Sequence, residues 1–109
     1  MPAIEIKKRD WKLFRERLPG WQEKYMEKLV AEYADYLQSD APASTKFWEM
    51  EKRIKEDKRR PGVLLSLEKK NVDFDLMRLM KDCAIEEKDL EGFSQELIDR
   101  VMELCGIDW

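Results

Sequence analysis

Apolar residues recur every four positions from Trp21 through Tyr25, Leu29 and Tyr33 to Leu37, with Met26, Val30, Ala34 and Tyr36 beside them. Glu23, Lys24, Glu27, Lys28 and Glu32 fill the intervening positions. This is a helical period carrying a wide apolar and aromatic stripe, and it predicts a helix of four to five turns. The polar breaker cluster Ser39-Asp40-Ala41-Pro42 ends it. Upstream, Trp11, Phe14 and Leu18 share one face of a helix expected to start near Asp10, whose carboxylate suits an N-cap. Pro19-Gly20 interrupts that pattern, because proline lacks the N–H a continuing helix needs and suits the first position of a new one. Two helices are therefore expected on either side of Pro19.

Ser44 is the expected N-cap of a third helix with Phe47, Met50 or Glu51, and Ile54 on its inner line and Trp48 beside them. Glu49–Arg53, Glu51–Lys55 and Glu56–Arg60 are acid-before-base pairs at i, i+4, each worth ~0.3 kcal/mol on an exposed face. Residues 55–60 are wholly charged and are expected to project into water before Pro61-Gly62 ends the helix. Residues 63–68 fit either a short helix or an extended connector. Asn71 or Asp73 caps a helix carrying Phe74, Met77 and Met80, with Leu76, Leu79 and Cys83 alongside. Ile85, Leu90 and Phe93 can pin a single helical turn, and Ser94 caps a last helix with Leu97, Ile98, Val101, Met102 and Cys105 on one face, stopped by Gly106. The expected fold is an all-α, compact bundle-like domain of four to six helices with short connections.

Length and composition agree with this pattern. A chain of 109 residues fits one domain and can bury roughly 65% of its unfolded surface, enough to fold without disulfides or metals. Charged residues make up 41% of it, which with only 4 Gly and 4 Pro favours helices with solvated outer faces. Net charge is −3, but residues 1–60 hold 15 basic and 12 acidic side chains, net +3, while residues 61–109 hold 6 and 12, net −6. The split marks two possible sub-units, 1–60 and 61–109, and is read either as scatter over a charged surface or as attraction between halves or between copies. Cys83 and Cys105 lie among apolar neighbours and read as buried free thiols. The N-terminus lacks a signal-peptide pattern, and no apolar run nears the ~18 residues of a membrane span. A cytoplasmic location, without membrane association, is expected.

The sequence contains no histidine. That removes the commonest general base, proton shuttle and metal ligand, and with it every Ser-His-Asp, Cys–His or His-containing zinc site. Ser39, Ser44 and Ser94 read as caps or breakers, Ser66 lies in the connector outside any nucleophile-elbow context, and no glycine-rich loop could cradle a phosphate. The acidic stretch 82–91 lacks the order of a calcium loop. No catalytic residue, metal, cofactor or small-molecule ligand is predicted, and the chain reads as a non-enzyme; carboxylate-only chemistry stays formally open.

Two surfaces remain. Trp48, next to Phe47, and Trp109 at the C-terminus are the candidate protein contacts, because tryptophan is enriched in binding hot spots. Lys55, Lys58, Arg59 and Arg60, within a cluster that also holds Lys52 and Arg53, are the candidate phosphate contacts, although Glu51, Glu56 and Asp57 interleave with them. The expected role is an interaction or accessory protein acting on a protein partner or on itself, with nucleic acid as the alternative partner.

The segments 8–14 (Lys-Arg-Asp-Trp-Lys-Leu-Phe), 21–26 (Trp-Gln-Glu-Lys-Tyr-Met), 47–55 and Pro61-Gly62-Val63, with Asp89-Leu90-Glu91-Gly92-Phe93-Ser94, together resemble a small helical bacterial family associated with mobile elements of gut Firmicutes. The likeness covers nearly the whole chain. The label "multidrug transporter" often attached to that family is physically untenable here, since no segment can cross a bilayer. The resemblance implies a bacterial, mobile-element context and no activity or site residue. Residues 76–104 are also similar to two-helix modules of the SHOCT type, through Ile85 and Asp89-Leu90, with Cys83-Ala84 where a glycine is usual.

Overall fold

The computed structural model describes residues 4–107, and among these it contains four α-helices, two single 3₁₀ turns and no strand. Helix α1 runs from Lys8 to Leu37, α2 from Ala43 to Asp57, α3 from Val72 to Lys81 and α4 from Gln95 to Cys105. The 3₁₀ turns are Lys69–Asn71 and Glu87–Leu90. The fold is all-α and bundle-like, as the periodicity predicts.

The principal correction concerns Pro19. Helix α1 passes through Pro19-Gly20 without a break over 30 residues. An interior proline removes one helix hydrogen bond and costs about 3 kcal/mol. Here the helix is anchored on both sides of it: Phe14 and Leu18 are buried before it, Tyr25 and Leu29 after it. Pro19 itself is exposed, so water can reach the carbonyl that lost its donor.

The first half of α1 packs with α3 and α4 around one core. Ile6, Phe14 and Leu18 meet Val72, Leu76 and Leu79 of α3 and Leu97, Val101 and Leu104 of α4. Ile85, Leu90 and Phe93 close this core from the turn between α3 and α4, as the spacing predicts. The second half of α1 leaves the core and pairs with α2 as a projecting hairpin. The extents of 51 × 28 × 22 Å and a Cα radius of gyration of 16.6 Å, against about 13 Å for a spherical domain of this length, reflect that projection.

Polar contacts fix the elements around the core. Asp10 lies within the first turn of α1 instead of capping it, and its buried carboxylate reaches α4: the Ser94 backbone N–H donates to Oδ1 at 2.9 Å and the Ser94 hydroxyl to Oδ2 at 2.6 Å. Ser94 in turn accepts from the Leu97 N–H at 3.3 Å, the expected N-cap. Arg9 donates to the Gly92 carbonyl at 2.8 Å, and Arg17 donates to the carbonyls of Asp89, at 3.1 Å, and Glu91 while lying over the Phe93 ring. The loop 89–94 is thus pinned to α1 by three side chains. Between α3 and α4, Arg100 and Asp73 form a buried pair at 3.3 Å.

Two smaller expectations also change. Pro42, not Ser44, occupies the N-cap of α2, with no side-chain cap, because the helix starts two residues early and Ser44 falls inside it. Cys83 is exposed, not buried. It sits just beyond the end of α3 with φ 60°, where the Cys83 N–H bonds the Met80 carbonyl and the Ala84 N–H bonds the Leu79 carbonyl. This left-handed closure satisfies two terminal carbonyls and is usually made by glycine. Residues 64–68, for which the sequence left helix and extended chain open, form no helix, and Glu68 is in an extended conformation.

Candidate interaction face

The α1–α2 hairpin is built on a polar seam. Lys46 donates to the Leu37 carbonyl at 2.8 Å, Arg53 lies over the Tyr36 ring at 4.2 Å and Tyr33 donates to the Asp57 carboxylate. Burial and that bond push the Tyr33 phenol up to about 12, so it stays a donor throughout the neutral range. At the base, Gln22 donates to the Pro61 carbonyl at 3.1 Å and Arg60 donates to the Tyr25 hydroxyl at 3.3 Å. Pro61-Gly62 is buried here, with the glycine flat against the Tyr25 ring: a Cβ at residue 62 would stand 2.5 Å from two ring carbons. The charged end of α2 is therefore anchored to α1 through Asp57 and Arg60, while Lys55, Glu56, Lys58 and Arg59 stay exposed to water as expected.

Lys46, Arg53 and Asp57 consequently form the inner line of α2, one position away from the line Phe47, Met50 or Glu51, and Ile54 that periodicity suggests. No residue of α2 is buried. Phe47 is 66% exposed, Trp48 62% and Ile54 41%, and on α1 Val30 is 61% and Leu37 47% exposed. At 100° per residue, Phe47 and Ile54 lie within about 20° of one another on α2, as Val30 and Leu37 do on α1. Lys28, Glu32, Arg53, Glu56 and Asp57 line one side of the seam. The same rotation turns Val30, Leu37, Phe47 and Ile54 to the other side, with the half-buried Met26 and Met50 between them. One side of the hairpin is thus polar and the other is an exposed apolar strip. Trp48 stands about 100° round from Phe47, on the side of α2 turned away from α1, its ring edge-on to Phe47 at 5.0 Å. Trp109 lies outside the described residues.

The four candidate phosphate contacts are separated. Lys55 and Lys58 are exposed, whereas Arg60 turns inward and is engaged by Asp57 at 3.0 Å, Asp82 at 3.9 Å and Tyr25. Those partners hold the Arg60 guanidinium protonated, its pKa raised above the ordinary value mainly by Tyr25. Arg59 instead joins Arg60, Arg78 and Lys81 around an open cleft of about 650 Å³ floored by Pro61, Phe74 and Met77, with Glu56 and Asp82 on its rim. Lys81 also donates to the Ile107 carbonyl at 2.8 Å. Arg78 and Lys81 were not legible as members of this cluster, since they come from a different helix.

Among the described residues, no group of three or more Cys, Asp or Glu side chains could hold a metal ion, and no helix is long and apolar enough to cross a membrane. Comparison with known protein families, with curated proteins and with solved structures finds no match to this chain.

Proposed function

We propose that this chain is a small bacterial, cytoplasmic interaction or accessory protein that works by protein–protein contact, with the α1–α2 hairpin as its contact element and no catalytic step of its own. The observation that carries this reading is a helix, α2, with no buried residue and three large apolar side chains more than a third exposed. Isolated exposed hydrophobics are ordinary, but several sharing one side of two adjacent helices form the patch that marks an interaction surface. The polar seam holds the hairpin rigid, so its contact side chains are presented with little ordering cost. The test is a photo-crosslinking amino acid placed at Phe47, Ile54 or Lys28 in cells of the source organism. Discrete adducts from positions 47 and 54, absent from position 28 and lost from position 47 on Ile54→Asp, are expected. Equal labelling at all three positions, or none, refutes the hairpin as the contact element.

A second reading rests on the cleft. Arg59, Arg60, Arg78 and Lys81 around Phe74 combine cations with an aromatic surface, the pairing that single-stranded nucleic acid uses for backbone and base. Glu56 and Asp82 on the rim, and the ion pairs of Arg60, weaken the field there. Salt-dependent binding of an oligonucleotide at low ionic strength, abolished by Arg59→Glu with Arg78→Glu, supports this reading. No binding at low salt removes it.

A further inference from the structure

Both limbs of the hairpin join the rest of the chain through a Pro-Gly pair, Pro19-Gly20 inside α1 and Pro61-Gly62 after α2. Trp21, edge-on to Phe14 at 6.4 Å, is the last residue of α1 to pack on the core, and Leu65 is the first beyond α2 to do so. Between them no hydrophobic residue belongs to that core or packs against it; Tyr25 and Leu29, although buried, stand outside it. What locks the hairpin base is internal to the hairpin: Gln22 on Pro61, and Tyr25 on Gly62 and Arg60. Among the described residues, one side-chain ion pair crosses from the hairpin to the rest of the chain, Arg60 to Asp82 at 3.9 Å, with both partners partly exposed. Open clefts of about 650, 410 and 350 Å³ line the same boundary, between residues 56–61 and 74–82, between residues 25–60 and 82–83, and between residues 24–28 and 83–89. Pro19 and Gly20 themselves have no packing role: Pro19 is exposed, and a Cβ at residue 20 would meet nothing within 4 Å. Proline takes a hydrogen bond out of α1 and glycine loosens the backbone beside it, at the point where the helix leaves the core. A local choice that weakens an element without improving its packing marks a functional position.

We propose that the hairpin is a hinged arm: residues 22–62 swing as one rigid body about Pro19-Gly20, and the Arg60–Asp82 pair is the latch that holds the arm against the end of α3. The polar seam and the base lock travel with the arm, so its own shape is kept while its direction changes. The second tether gives way easily, because residues 63 and 64 lie outside any helix and Leu64 is 67% exposed. A single ion pair in contact with water is weak and screened by salt, so the latch biases the closed position without fixing it. Opening widens the cleft between the end of α2 and α3 and turns the apolar strip of the hairpin to a new direction. Such hinge motions of whole elements fall in the microsecond to millisecond range. The hinge does not depend on what the strip meets, and it stands or falls separately from the reading of the hairpin as a contact element.

The test uses the full chain in a Cys83→Ser, Cys105→Ser background, with spin labels on exposed positions and distances measured by double electron–electron resonance. One pair, Ser39→Cys with Glu103→Cys, spans the hinge from the arm's tip to α4; the other, Glu23→Cys with Ser39→Cys, lies within the arm. The hinge-spanning pair is expected to give a distance distribution roughly twice as wide as the arm's own pair. Pro19→Ala with Gly20→Ala restores a continuous, stiffer helix and narrows the hinge-spanning distribution toward that of the arm. This variant keeps the fold, since both positions are open to solvent and alanine favours the helix. Asp82→Asn, or a rise to high salt, shifts the population toward longer or more scattered distances while the arm's own pair stays sharp. A hinge-spanning distribution as narrow as the arm's own, or one that the double alanine variant leaves unchanged, overturns the hinge. An arm-internal pair as broad as the hinge-spanning one overturns the rigid arm. A distribution indifferent to both Asp82→Asn and salt overturns the latch.

Discussion

Replacing Asp75 with asparagine removes a buried charge that nothing fully compensates. Asp75 is 5% exposed, its Oδ2 has no hydrogen-bond partner among the described residues, and its Oδ1 lies 3.9 Å from Arg78. Burial, the largest cause, raises its carboxyl from 3.8 to about 6; Arg78 pulls the other way, and Asp73 and Glu68 add to the rise. The unfolded chain releases this proton near 3.8 while the folded chain keeps it to about 6. Between those values ionisation favours the unfolded state, so stability falls as pH rises from about 4 to about 6 and levels off above. The gap of about 2 is worth about 3 kcal/mol at about 1.36 kcal/mol per pKa unit. Evaluated along the curve, roughly half of that cost is present at pH 5 and nearly all of it at pH 7. The asparagine variant does not titrate. Its stability relative to wild type should therefore rise by about 1 kcal/mol between pH 5 and pH 7, whatever the constant cost of burying the amide. Urea unfolding followed by tryptophan fluorescence at pH 5, 6 and 7 measures this, and every other titrating group cancels in the difference. A stability difference that is flat with pH, or a carboxyl titration midpoint of Asp75 near 4 by carbon NMR, would refute the reasoning.

Three further substitutions probe the backbone. Pro19→Ala restores a helix N–H in an exposed position and should stabilise the chain by about 2–3 kcal/mol in thermal or urea unfolding; a loss of stability would mean that α1 is not continuous there. Cys83→Gly relieves a side chain held at φ 60° and should raise stability by about 1 kcal/mol, with an unchanged fold by circular dichroism. Gly62→Ala drives a methyl into the Tyr25 ring, 2.5 Å away, and should cost about 1–3 kcal/mol. Since Tyr25 and Gly62 tie the hairpin base together, amide exchange should rise in α2 before it rises in α3 and α4.

Much of the α3–α4 half was legible because its signals are local. The single turn pinned by Ile85, Leu90 and Phe93 and the Ser94 cap each depend on residues within a few positions of one another. The hairpin was legible only in outline. Phe47 and Ile54 recur at helical spacing, and periodicity alone reads such residues as an inner line. In a lone two-helix hairpin there is no second layer to receive them, so the polar line Lys46, Arg53, Asp57 faces α1 and the apolar line is left outside. Asp10 shows the same limit in miniature. Its position at a helix start suggests a local cap, but the helix begins two residues earlier and the carboxylate serves Ser94, 84 residues along the chain.

The apolar exposure that carries the functional reading was foreshadowed by Trp48 beside Phe47, but its extent was not. Seeing Val30 and Leu37 join them required the rotation of α1 relative to α2, which no single-helix pattern contains. The cationic cleft likewise draws Arg59 and Arg60 from one element and Arg78 and Lys81 from another.

By itself the sequence determined the helical class, the positions of α3 and α4 and the absence of histidine chemistry. These follow from composition and from spacing within one turn or one helix. Only the tertiary structure decided that α1 continues through Pro19, that Cys83 rather than a glycine closes α3 in the left-handed region, and which side of α2 meets α1. Each of these is settled by packing between residues distant in sequence: burial on both sides of Pro19 outweighs a lost hydrogen bond, and the seam to α1 outweighs the preference of Phe47 and Ile54 for a core.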